Sequence, residues 1–170
     1  TNNTNSARIN VKYPPPPLVG AKGGGVIDDT AAFKAIISAL PSGGILEIPR
    51  DKYKLTDELT ITKPISIIGA MAEDLGQTYL DSNLDAKEAF KVGIRVDKGV
   101  HGCVFEGFYI NYSGTAERDG LLLDGRGLEY TDAIWYTKVS GVYARGFRDN
   151  FKSTNICIAS FINCRSINAK

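Results

Sequence analysis

Three six-residue segments in the last third of this chain superpose position by position: Phe105-Glu106-Gly107-Phe108-Tyr109-Ile110, Val139-Ser140-Gly141-Val142-Tyr143-Ala144 and Phe161-Ile162-Asn163-Cys164-Arg165-Ser166. The first, fourth and sixth places are apolar or small. The third is Gly, Gly or Asn, residues that tolerate the left-handed backbone of a sharp corner. The offsets are 34 and 22 residues. The shorter one suits a solenoid coil of three short strands and their turns, and the longer one a coil with a loop insertion around residues 113–130. A β-sandwich also separates strands by turns, but it rarely repeats a corner residue in register.

Upstream, the texture is that of short strands broken by Gly, Asp, Asn and Lys: Ile45-Leu46-Glu47-Ile48, Tyr53-Lys54-Leu55, Leu59-Thr60-Ile61, Ile65-Ser66-Ile67-Ile68 and Gly93-Ile94-Arg95-Val96. Residues 71–90 have no clean period and read as a loop or lateral insertion. One stretch is clearly helical. After Asp28-Asp29-Thr30, which offers N-cap oxygens, Phe33, Ile36, Ile37 and Leu40 recur on one face until Pro41-Ser42-Gly43-Gly44 stops them. A solenoid leaves its apolar interior open at its ends, and a helix at about 29–40 is placed to close the first coil. The expectation is a mainly β chain: a polar tail and stiff polyproline linker over 1–18, then a solenoid over 19–170 with coils from about 44. A strand-rich coil runs up to Lys170 with no second cap in view, so the chain is expected to be the N-terminal part of something longer.

Composition excludes several classes. The 170 residues are 43% hydrophobic and 23% charged, which fits one globular unit. Lys plus Arg number 20 against 19 Asp plus Glu, so no nucleic-acid partner is implied. No apolar run has a bilayer's length, so membrane insertion is not expected. Cys103, Cys157 and Cys164 with the lone His101 compose no recognisable metal site and read as small buried thiols. The glycines of Gly20-Ala21-Lys22-Gly23-Gly24-Gly25 read as turn formers: no GK[ST] follows, and Asp28 and Asp29 would repel a phosphate.

The stretch Val19-Gly20-Ala21-Lys22-Gly23-Gly24-Gly25-Val26-Ile27-Asp28-Asp29-Thr30-Ala31-Ala32-Phe33 resembles the start of the pectate-lyase-like β-helix family, which includes many bacteriophage tailspike and appendage proteins. Ser42-Gly43-Gly44-Ile45-Leu46-Glu47-Ile48-Pro49, Tyr53-Lys54-Leu55 and Ile67-Ile68-Gly69 resemble that family's first coil. Two departures are local: Gly24 stands where the family usually has Asp, and Pro14 to Pro17 interrupt the usual entry strand. The resemblance implies a right-handed parallel β-helix with an N-terminal capping α-helix. It implies a trimeric protein, virion-borne or extracellular, that recognises a cell-surface polysaccharide, with depolymerase activity belonging to the full-length protein. A self-contained polysaccharide lyase or glycoside hydrolase and a non-catalytic capping or trimerisation module are the alternatives.

Carbohydrate chemistry of that kind uses paired carboxylates, or in a lyase a basic residue and a divalent cation. No other cofactor and no resident metal site is expected. The loop over 115–132 is the densest place for such groups. Glu117, Asp119, Asp124, Glu129 and Asp132 are the candidate carboxylates, and Tyr130, Trp135, Arg126 and Arg145 the candidate substrate-binding residues. Arg148 and Asp149 extend a second polar cluster around Arg145. For each carboxylate a solvated or turn-capping role is the competing reading, and for Trp135 and Tyr136 half-buried packing.

Overall fold

A computed structural model describes residues 8–70, 79–82, 92–112, 117–127 and 129–169. The strands are β1 (Arg8–Asn10), β2 (Gly44–Ile48), β3 (Lys52–Lys54), β4 (Leu59–Ile61), β5 (Ile65–Gly69), β6 (Tyr79–Ser82), β7 (Val92–Val96), β8 (Val104–Glu106), β9 (Tyr109–Tyr112), β10 (Asp119–Asp124), β11 (Thr137–Ser140), β12 (Tyr143–Arg145), β13 (Asp149–Thr154), β14 (Ala159–Ile162) and β15 (Arg165–Ile167). One helix, α1 (Thr30–Ala39), precedes β2.

The strands form three sheets, ordered β1-β2-β5-β8-β11-β14, β3-β6-β9-β12-β15 and β4-β7-β10-β13. Neighbours pair in parallel, as between β2 and β5, β9 and β12, and β10 and β13. From β2 onward the chain therefore visits the three sheets in turn and returns one strand further along. Parallel strands cannot be joined by a hairpin, and three short strands per circuit satisfy that constraint without crossover helices.

Register confirms the superposed segments. Val139 lies opposite Phe105, and Phe161 lies opposite Val139. Beyond the corner, Tyr143 lies opposite both Tyr109 and Arg165. The corner residues Gly107, Gly141 and Asn163 have φ of 67°, 59° and 51°. The same ladder runs back through Ile67 and Leu46, and Leu46, Ile67, Phe105 and Val139 are fully buried. Each such side chain contributes about 1.5–3 kcal/mol by leaving water.

Helix α1 lays Phe33, Ile36 and Ile37 on this core beside the buried Leu40, and Phe33 meets Tyr53 edge to face with ring centroids 5.4 Å apart. Asp28 accepts the Thr30 backbone N–H at 3.0 Å, and the Asp29 carboxylate turns away to accept the N–H groups of Lys22 (2.6 Å) and Gly23 (3.1 Å). Both carboxylates thus occupy the place a phosphate would need. Asp51 accepts the Gly24 N–H at 2.9 Å, so a carboxylate from a distant turn meets this loop where Gly24 brings none.

Four expectations are corrected. Residues 8–11 of the supposed tail belong to the fold: β1 extends the first sheet beside β2, and Val11 is fully buried. The prolines do not run straight, because Leu18 N–H bonds back to the Pro15 carbonyl at 3.1 Å and the turn returns Ala21 to Val11. Within 71–90, Tyr79–Ser82 is a strand between β3 and β9 rather than part of a loop, since its backbone completes the sheet whatever its weak pattern. The remainder of that segment lies outside the described residues. Cysteine burial is also uneven: Cys103 is buried, Cys164 partly so and Cys157 exposed.

Candidate functional site

The segment 115–132 is not one loop. Residues 119–124 are β10, inside the four-stranded sheet between β7 and β13, and every residue of the strand is buried. The run Gly120-Leu121-Leu122-Leu123 supplies the apolar surface a central parallel strand requires. Asp119 and Asp124 are thereby held at the two ends of one strand, and each becomes the centre of a separate ion-pair cluster.

At the Asp124 end, Arg95 stands on β7 between the buried Ile94 and Val96, so alternation turns it outward. Its guanidinium binds Glu58 (Nε to Oε1, 2.7 Å) and Asp124. Arg126 adds a bidentate contact to Asp124, with Nε–Oδ1 and Nη2–Oδ2 both 2.5 Å. Burial pushes the Asp124 carboxyl up, but the hydrogen bond and charge of Arg126 and the charge of Arg95 outweigh it and hold the group below its ordinary range. At the other end, Asp119 accepts Arg148 at 2.7 Å and Lys152 at 3.1 Å. Lys152 also reaches Asp149 at 3.2 Å, and Arg148 reaches the exposed Glu117 at 3.4 Å. For Asp149 burial again acts upward and is outweighed by Lys152 and Arg148.

Glu129 and Asp132 close a short 3₁₀ turn, Tyr130–Asp132, by reciprocal capping. Asp132 pairs with Lys98 at 3.0 Å, and the Lys98 hydrogen bond lowers its pKa. Around this turn lies an aromatic platform. Tyr130 and Trp135 pack with ring centroids 4.7 Å apart, and Trp135 and Tyr136 with centroids 6.1 Å apart. Tyr130 is 73% and Tyr136 65% exposed, so Tyr136 is not the packing residue expected of it. Tyr136 also carries φ of 57°. An aromatic residue in the left-handed region costs on the order of 1–3 kcal/mol and persists only where its surroundings enforce it. Here the enforcement is visible: Gly102 N–H bonds to the Trp135 carbonyl and Gly99 N–H to the Asp132 carbonyl, both at 2.9 Å.

The structure therefore gathers Tyr130, Trp135, Glu129 and Asp132 in one place, Asp124 and Arg126 in a second, and Asp119 and Glu117 in a third. Arg145 lies apart on β12, in the five-stranded sheet. Sequence reasoning missed Glu58, Arg95, Lys98 and Lys152. Arg95 had a usable signal, a charged residue between two β-branched ones in a strand, but its partners lie 29 and 37 residues away. A divalent cation does not fit these carboxylates. Asp119 and Asp124 already spend their oxygens on cationic side chains, and among the described residues no cluster of three or more acidic, His or Cys groups could hold a metal.

No protein-family model matches the chain. No curated protein matches it. Among solved structures, ORF18 of Geobacillus virus E2 aligns at 19% identity with a TM-score of 0.47, over 93% of this chain and 42% of that one. The chain spans less than half the length of that neighbour.

Proposed function

We propose that this chain is a right-handed parallel β-helix of the tailspike and appendage kind, and that it recognises a cell-surface polysaccharide without cleaving it. The three-sheet winding under a helical cap supports the fold, and the right-handed preference of parallel crossovers supplies its hand. The platform of the exposed Tyr130 and Tyr136 around the half-buried Trp135 carries the function. Sugar rings present a C–H face that stacks on aromatic rings, and a platform pinned to the backbone of the preceding coil binds at little entropic cost. Lys98 and Asp132 border it with hydrogen-bonding groups for sugar hydroxyls.

A glycosidase acid needs a pKa raised towards neutrality. Asp124, Asp132 and Asp149 are held low by their cationic partners, which suits them to binding rather than to that acid's role. The tailspike reading carries assembly as a homotrimer on a virion or other extracellular particle.

Affinity electrophoresis through gels containing purified bacterial surface polysaccharides tests this. The chain is expected to be retarded by at least one of them, the polymer to emerge undegraded, and Trp135→Ala with Tyr136→Ala to abolish the retardation. Retardation unchanged in that variant, or shortening of the polymer, would overturn the reading. A trimer by light scattering would support the assembly, and a monomer would refute it.

A further inference from the structure

We infer that the platform of Tyr130, Trp135 and Tyr136 selects sugars that carry a free, protonated amine, the chemistry of a hexosamine unit without its N-acetyl group. This deepens the reading of the platform as the glycan site and rests on it. The rings themselves favour such a ligand. The face of an aromatic ring attracts an ammonium group within about 6 Å of its centre. Tyr130 and Tyr136 leave most of their surface to solvent, and both pack on the half-buried Trp135, with centroids 4.7 Å and 6.1 Å from its own. The backbone bonds from Gly99 and Gly102 hold this arrangement before any ligand arrives, so little ordering cost remains.

The charge beside the rings points the same way. Glu129 and Asp132 bracket Tyr130 in one 3₁₀ turn, and the Glu129 carboxylate folds back onto the Asp132 backbone N–H, which keeps it within that turn. Lys98 neutralises Asp132 at 3.0 Å. Glu129 is exposed, and among the described residues no cationic side chain pairs with it, so one carboxylate at the rim of the platform is unmatched. Asp119 and Asp124 differ in this respect, because Arg148 and Lys152 hold the first and Arg95 and Arg126 the second. The whole chain carries a formal charge of +1, so its bulk field draws no cation, and any attraction has to be local. An amino sugar meets both features at once: its C–H face stacks on a ring, and its ammonium group reaches the ring faces and Glu129. N-acetylation turns that ammonium into a neutral amide and removes both attractions.

The test follows Trp135 emission while the full chain is titrated with a glucosamine trisaccharide or with the same trisaccharide fully N-acetylated, slightly below neutral pH, where amines are protonated and carboxylates ionised. The free amine is expected to bind about tenfold more tightly, with a preference that shrinks as salt is raised. Glu129→Gln removes the charge while its amide oxygen still accepts the turn's hydrogen bond. It should bring the two affinities within about twofold of one another at an unchanged melting temperature. Tyr136→Ala should weaken binding of both sugars. Equal affinity for the two trisaccharides, tighter binding of the N-acetylated one, or an undiminished preference in Glu129→Gln overturns the inference and leaves the platform a glycan site. No response to either trisaccharide also overturns it, while the polysaccharide gels decide the wider reading separately. Spermidine bound as tightly as the amino sugar would reveal a site for any cation and refute the selectivity for sugar.

Discussion

Phe105 and Val139 stand directly opposite one another in adjacent parallel strands although 34 residues separate them, and each is followed two positions later by a glycine with positive φ. The corner is what keeps the two circuits in step despite unequal loops between them. A side chain with a branched Cβ cannot take that backbone cheaply. Gly141→Val is expected to destabilise the chain by about 1–2 kcal/mol, and Gly141→Asn by less, because Asn163 holds the same corner one circuit later. Urea unfolding of the two variants checks the order, and equal loss in both would contradict it.

The interior ladder makes a second prediction. Phe105 is fully buried between Ile67 and Val139. Phe105→Ala leaves a cavity in the middle of the stack and should cost about 3–5 kcal/mol, whereas Phe161→Ala, at a position 44% exposed, should cost far less. Denaturant midpoints of the two variants compare them directly.

Acid should weaken the Asp124 cluster in a defined direction. The folded-state pKa of Asp124 lies below its ordinary value near 3.8, so the folded chain holds that proton less tightly than the unfolded one. The stabilisation is complete above the ordinary value and drains as pH falls through the folded one. Asp124→Asn is therefore expected to be less stable than wild type by about 1–3 kcal/mol near neutrality. The gap should narrow below about pH 4. A gap that persists unchanged in acid would mean the loss comes from packing alone.

The cysteines should differ in reactivity. Cys157 is exposed, while Cys103 is buried and burial pushes its thiol pKa up. A disulfide reagent is expected to label Cys157 in the native chain within minutes and Cys103 only on unfolding. Mass mapping of the labelled peptides settles which thiol reacts, and early modification of Cys103 would contradict its place in the core.

How much of this was legible in the sequence depends on distance along the chain. The helix over 29–40 and the registered corners at Gly107, Gly141 and Asn163 were readable because periodicity and backbone preference act within a few residues. The strand at Tyr79–Ser82 was not, since its hydrogen bonds come from β3 and β9 and its own pattern is weak. Asp119 and Asp124 were picked out as groups on a loop, and the triple leucine between them was the sign of a buried strand. Their partners Arg148, Lys152 and Arg95 become neighbours only when three circuits are stacked. Tyr136 was misjudged for a related reason: its exposure follows from a backbone conformation fixed by Gly102, 34 residues earlier.

Trp135 is the single tryptophan of the chain, so its fluorescence reports on the proposed glycan platform and on nothing else. The most direct measurement is a titration of the chain with purified bacterial surface polysaccharides, following Trp135 emission and its quenching by acrylamide. Glycan stacked on the platform should shift the emission saturably and shield the ring from the quencher. Emission and quenching unchanged at saturating concentrations of every polymer that retards the chain in a gel would show that this platform is not where glycan binds.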